Sequence, residues 1–316
     1  MFIQGFNADL NAVKTKVSEI CSTENSYAVD SLSAAPQKLF NSENYSDFGF
    51  KSMGRMVGFP APFVKNIEKS DPELSKEIIE NRMRNYFLTT GKTFTVREFS
   101  DEVAGVVSSK YSYFDDNEVV DILEDSPLAN LGFQNVMITP ERFHLRAIDR
   151  NDPFRINGDS SDMFFTFFVD NSMVGGSSFK VRLGVFRQAC TNGLIVPVRE
   201  FVICKQIHRG RKDIAAEFNE NIAFLSEKKD SIKTLLNDLS TAESAIEKMS
   251  EDFKADYLAR KLNASQVEAE KIIDLYKLTY GGKTKWALVN AVTEFARDIN
   301  DIDRREMLEA RALKVA

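Results

Sequence analysis

Between Asp162 and Val198 the chain reads as one extended hairpin, and no other stretch constrains the fold as strongly. It opens with Asp-Met-Phe-Phe-Thr-Phe-Phe-Val-Asp, ending at Asp170, a run of aromatic and β-branched residues too short for an ordinary helix or a membrane span. Asn171, Gly175 and Gly176 follow, residues that tolerate the positive φ a tight reversal needs. Phe179, Val181, Leu183 and Val185 then alternate with Lys180, Arg182, Gly184 and Phe186. Alternation with a period of two sends one set to a core face and the other set to the opposite face.

The rest of the chain supplies partners for this hairpin. Residues 8–21 read as a helix, with Val13, Val17 and Ile20 on one side. The segment from Phe48 reads as a short helix stopped near Gly58, and Ser70-Asp-Pro-Glu opens another that ends before Gly91. From Lys92 the pattern changes to strands at 93–97 and 104–113, a helix opened by Asp115, and strands at 133–139, 142–149 and 200–207. Beyond Arg209 the pattern is helical. No Pro or Gly interrupts Asp213 to Asn263, which suits either a hairpin of two helices or a coiled-coil arm, and further helices follow at 264–278, 284–299 and 303–313. The fold class expected is α+β: a largely antiparallel central sheet flanked by an N-terminal helical segment and a C-terminal all-helical region. The corresponding divisions are 1–91, 92–212 and 213–316, and a length of 316 residues suggests about two domains.

Charge is distributed unevenly. The net charge is −6, yet Arg142 to Lys212 holds twelve Lys/Arg against six Asp/Glu, a local balance of +6. A basic middle between acidic flanks is the pattern of an anion-binding face. Arg142, His144 and Arg146 share one side of their strand, as do Lys180 and Arg182 of theirs; Arg187, Lys205, His208, Arg209, Arg211 and Lys212 extend the group. Such clusters suit phosphate backbones, because each neutralised phosphate releases counterions. Phe154, Phe186 and Tyr111 are aromatic residues suited to stacking on unpaired bases. The same charges equally suit a solvated sheet face that resists edge-to-edge pairing.

Other chemistry is thinner. Cys190, Cys204 and His208 have ligand-like spacing, but a structural zinc site wants four ligands and only His144 and Cys21 remain to complete one. Gly281-Gly-Lys-Thr resembles the end of a phosphate-binding loop, but Lys277 stands where that pattern requires Gly, so the segment reads as a helix break with Thr284 as cap. With two histidines and no assembled constellation, catalysis is unsupported, and no cofactor or metal is expected. Three cysteines, no long apolar run and no signal-peptide pattern point to a cytoplasmic protein without membrane attachment.

Four segments in order carry a family resemblance: Met-Gly-Arg-Met-Val-Gly-Phe-Pro-Ala-Pro-Phe from Met53 with Asp71-Pro-Glu-Leu; Val-Val-Ser-Ser-Lys-Tyr from Val106 with Asp115-Asp-Asn-Glu; Phe186-Arg-Gln-Ala-Cys-Thr-Asn-Gly-Leu; and Trp286-Ala-Leu-Val-Asn-Ala-Val-Thr-Glu-Phe. Over about residues 45–300 the chain resembles the uncharacterised phage/plasmid-like protein family of bacteriophages and mobile elements. The resemblance implies a mobile-element origin and a bacterial host cytosol. It also groups Arg187, Cys190, Asn192 and His208 as motif positions beside the basic cluster. The leading expectation is a phage- or plasmid-encoded protein that binds single-stranded nucleic acid in recombination or annealing and self-associates through its C-terminal helices. The alternative, a non-enzymatic structural or anti-defence factor docking on a host protein through the acidic helical region, stays open.

Overall fold

The computed structural model describes residues 2–3, 9–112, 114–188, 192–195, 202–206, 214–223 and 225–315. Its elements, in order, are β1 (Phe2–Ile3), α1 (Leu10–Cys21), β2 (Glu24–Val29), α2 (Asp47–Val57), α3 (Ala61–Glu68), α4 (Pro72–Thr90), β3 (Phe94–Phe99), β4 (Glu102–Ser108) and α5 (Asp116–Glu124). Then come β5 (Gly132–Thr139), β6 (Arg142–Phe154), β7 (Met163–Asn171), β8 (Phe179–Arg187), β9 (Asn192–Ile195) and β10 (Val202–Gln206). The helices α6 (Ile214–Ala223), α7 (Leu225–Thr241), α8 (Glu251–Leu262), α9 (Gln266–Asp274), α10 (Lys285–Arg297) and α11 (Ile302–Val315) complete the chain. The α+β class with antiparallel sheets and C-terminal helices is therefore what the chain adopts. The larger sheet runs β1-β5-β6-β7-β8-β10, with β9 also on β8, and a smaller sheet runs β2-β3-β4.

Two compact units emerge: residues 1–145, 169–179 and 205–213 form the first, and 146–168, 180–204 and 214–316 the second. These units do not coincide with the segments 1–91, 92–212 and 213–316, because β6, β7 and β8 each give residues to both.

In the first unit the helix signals act as the sequence suggests. Asp71 caps α4 through a bond from Leu74 N, Pro72 takes the first turn, and Gly91 closes the helix at φ +59°. Ser46 caps α2, which lies so close to β4 that a Cβ on Gly49 would sit 1.9 Å from the Val103 carbonyl oxygen; only glycine allows that approach. The Ser52 hydroxyl accepts from Val106 N at 2.8 Å and fixes the same contact. Phe50, Met53, Ile79, Phe94 and Val96 are buried in the core that results. Strand β2 escapes the sequence pattern, since Glu-Asn-Ser-Tyr-Ala-Val is mostly polar; it pairs in full register along β3.

The hairpin forms as expected, although its turn chemistry differs from the expectation. Only Gly175 adopts a positive φ, +83°, while Ser172 Oγ accepts from Gly176 N at 2.8 Å. Asn171 is extended at the end of β7, and its buried amide serves another purpose described below.

In the second unit the tract after residue 213 is neither a single arm nor a simple helical pair. It is α6, α7 and α8, bent at 242–250. Ser244 N donates to Lys283 O at 2.7 Å and Lys285 N to Ala242 O at 2.9 Å, so the bend is held by the segment leading into α10. Thr284 caps α10 by accepting from Ala287 N, as the helix-break reading requires. No helix among the described residues is long and apolar enough to cross a membrane.

Candidate functional site

Among the described cationic residues singled out in the sequence, Arg142, His144, Arg146, Arg182 and Arg187 each meet a carboxylate. In the first unit His144, 1% exposed, holds Asp170 Oδ1 through Nδ1 at 2.9 Å, and Arg142 Nη2 lies 3.7 Å from the same oxygen. In the second unit Arg146 donates to Glu309 at 2.8 Å and Arg182 to Glu306 at 3.1 Å. Both guanidinium groups lie against the Phe168 ring, at 4.7 and 5.5 Å from its centroid, so two like charges share one aromatic surface. The two acids sit three residues apart on α11 and therefore on one side of that helix. Burial pushes the Glu309 carboxyl above its usual range, against the pull of Arg146.

Arg187 leaves the group for a structural role. It grips Asp159 bidentately, Nε at 2.7 Å and Nη2 at 3.0 Å, and the Trp286 indole N–H donates to the same carboxylate at 2.9 Å. Burial opposes the charge on Asp159, but the bonds from Arg187 and Trp286 outweigh it and hold the carboxyl down at about 2. Lys180 is half-buried and Lys205 exposed. Cys190, His208, Arg209, Arg211 and Lys212 lie outside the described residues, and Asn192 begins β9.

A phosphate reaching Arg146 would have to displace a buried carboxylate. Separating a buried pair costs roughly 3–5 kcal/mol, far more than a surface contact returns. The aromatic residues are committed as well: Phe154 stacks on Phe165 at 4.7 Å, Phe186 is buried, and the Tyr111 hydroxyl donates to Ser172 O.

Sequence reading missed a second buried network, in the first unit. Arg97, 1% exposed at the β3 bulge, donates to Glu24, to Asp115 at 3.1 Å and to the Met173 carbonyl. Asp116, fully buried at the start of α5, accepts from Asn171 Nδ2 at 2.8 Å through one oxygen, and its other oxygen has no hydrogen-bond partner among the described residues. Burial raises its carboxyl to about 7, with the Asn171 bond opposing. The Cys21 thiol, also pushed up to about 12 by burial and then by Asp116, Asp115 and Glu24, is a poor nucleophile and a poor ligand at neutral pH. The only sequence signal for this network was the Asp115-Asp-Asn-Glu cap.

An open surface lies among the C-terminal helices. In the second unit α9 runs into a π turn, Leu275–Thr279, closed by Tyr280 N donating to Leu275 O at 3.3 Å. The extra residue in such a turn swings the following side chains out of helical register, and π turns are frequent at functional sites. Tyr276 stays buried, its hydroxyl on Glu247 at 3.0 Å, while Leu278 is 84% exposed. Between this turn and α10 lies a groove of about 540 Å³. Leu275, Leu278, Phe295 and Ile299 form its apolar wall, with Lys271, Asp274, Glu294 and Asp298 also lining it.

Fold and surface together define an α+β protein built on an antiparallel sheet and carrying a grooved C-terminal helical region. The chain belongs to the family described as domain of unknown function DUF932, whose model matches residues 103–313. No curated protein and no solved structure matches the chain. The uncharacterised family read from the sequence agrees with this assignment.

Proposed function

We propose that this chain is a non-enzymatic binding protein that docks on a partner protein through the helical surface of its second unit. The observation that carries the reading is the groove beside the π turn, which offers an apolar wall, whereas Arg146 and Arg182 of the sheet are paired with carboxylates. Helix-in-groove recognition uses this kind of surface: a continuous apolar trough between two helices with charged residues at its margin. A mobile-element origin makes a host protein the natural partner, and the acidic helical region the natural contact.

The test compares immobilised wild-type chain with Leu278→Ser in bacterial lysate, read by mass spectrometry. A protein retained in stoichiometric amount by the first and lost from the second supports docking; equal retention by both counts against it.

Single-strand binding is the competing reading. It draws on Arg150, exposed on β6 with its guanidinium 5.8 Å from the Phe164 ring and 6.0 Å from the Phe186 ring, and on the exposed Lys205. Gel retardation of unpaired oligonucleotides at two salt concentrations separates the two. Binding through several phosphates weakens steeply as salt rises, and apolar docking does not.

A further inference from the structure

We infer that the groove between the π turn and α10 takes an amphipathic helix with large apolar anchors and basic flanking residues. This deepens the docking reading and rests on it.

The geometry of the wall selects a helix. The lining residues come from α9, the π turn, α10 and the turn just after it, so no strand edge is available among them for an extended peptide to pair with, and recognition there proceeds through side chains. Leu275 and Leu278 are three residues apart on one side of the groove, and Phe295 and Ile299 four apart on the other. Apolar side chains thus stand on both sides of the cleft, and anchors at i, i+3 or i+4 on one face of an incoming helix can reach both. A volume near 540 Å³ lies within the range of roughly 300–1,000 Å³ typical of binding clefts.

The rim selects charge. Asp274 and Asp298 are exposed on either side, Glu294 accepts the Tyr280 hydroxyl, and Lys271 is the one base among four charged lining residues. Arg297 reaches Asp298 at 3.0 Å, but that carboxylate remains largely exposed, and a solvated pair of this kind is weak. The margin is therefore net acidic. Lys or Arg beside the anchors steers the occupant in and fixes its direction, and Glu at those places is repelled.

The probes are three fluorescein-labelled helical peptides of equal length with identical Leu/Phe anchors, flanked by Lys/Arg, by Gln or by Glu. Anisotropy with the full chain should give the tightest binding for the basic peptide, about tenfold over the acidic one, the effect of two exposed charge pairs. Asp274→Lys with Asp298→Lys should reverse that order, and Leu278→Ser should weaken all three peptides. Tight binding of the Gln or Glu peptide, with loss on Leu278→Ser, overturns the basic-flank inference and leaves the docking reading standing. No binding by any peptide, or binding indifferent to Leu278→Ser, overturns both. A small apolar dye that binds while every peptide fails assigns the cleft to a small ligand and has the same consequence. The rim substitutions are on the surface, and an unchanged circular dichroism spectrum confirms that the comparison is made between folded chains.

Discussion

Two surfaces of the second unit treat charge in opposite ways. Against β6, β7 and β8 the charged groups are sealed: Arg146 with Glu309, Arg182 with Glu306, Arg187 with Asp159. Along the groove of α9 and α10, Leu278, Asp274 and Asp298 are exposed and Leu275, Phe295 and Ile299 are half-buried. Counting cations along the chain finds the first surface and passes over the second. A sheet rich in arginine is available to phosphate only if nothing in the same fold has already answered those charges. For Arg146 and Arg182 the answer comes from α11, 163 and 124 residues downstream in the chain.

The largest effect expected from breaking this contrast is at Glu309. Replacing it by Ala strands Arg146 in a buried position and should cost about 3–5 kcal/mol in urea denaturation, whereas Arg146→Met with Glu309→Leu should be nearly neutral. A loss below about 1 kcal/mol for Glu309→Ala would place the pair in water, and the sealed surface would be open after all.

Asp116 sharpens the comparison from the first unit, as a buried acid bonded by the neutral Asn171 amide. Its folded value, raised to about 7, exceeds the ordinary 3.8, so the folded state holds the proton over that interval. The stability Asp116 contributes is present below about pH 4, falls as pH rises toward 7 and is constant above. Asp116→Asn should remove that slope and stabilise the chain above neutrality by a few kcal/mol, since each unit is worth about 1.4 kcal/mol. Melting temperatures at pH 5 and pH 8 decide it; an unchanged slope would assign the titration elsewhere.

Arg187→Lys should cost about 1–2 kcal/mol by replacing a bidentate grip with a single contact. The Asp159 contribution has the opposite sign to that of Asp116, present above about pH 4 and lost as pH falls toward 2. Loss of the acid-side dependence in Asp159→Asn, followed by thermal denaturation, checks it. The smallest change is at Leu278. Leu278→Ser should alter stability by no more than about 0.5 kcal/mol, because the side chain is already in solvent, while weakening any docking. A large destabilisation would mean that the leucine belongs to the core.

Much of the fold was legible because its signals are local. The alternation of β8, the Asp71-Pro72 start and Gly91 stop of α4, the Gly58 stop of α2 and the Thr284 cap each lie within a few residues of what they specify. Strand β2 was not legible, because Glu24 and Asn25 look like loop until Arg97 and Glu98 supply their partners. The bend at 242–250 depends on Lys283 and Lys285, and the π turn has no residue signature. For the candidate site, the position of the cations could be read, but Glu306 and Glu309 could not be matched to them from separation in sequence alone. The groove was invisible for a related reason: its walls come from the π turn and from the C-terminal end of α10, which the sequence does not place together.

The sole tryptophan, Trp286, is bonded to Asp159 and lies in the second unit, whereas the first contains none. Intrinsic emission excited at the red edge therefore reports on one half of the molecule, while far-ultraviolet dichroism reports on both. Coincident midpoints would show the halves melting as one, and separated midpoints would measure how independently each holds together.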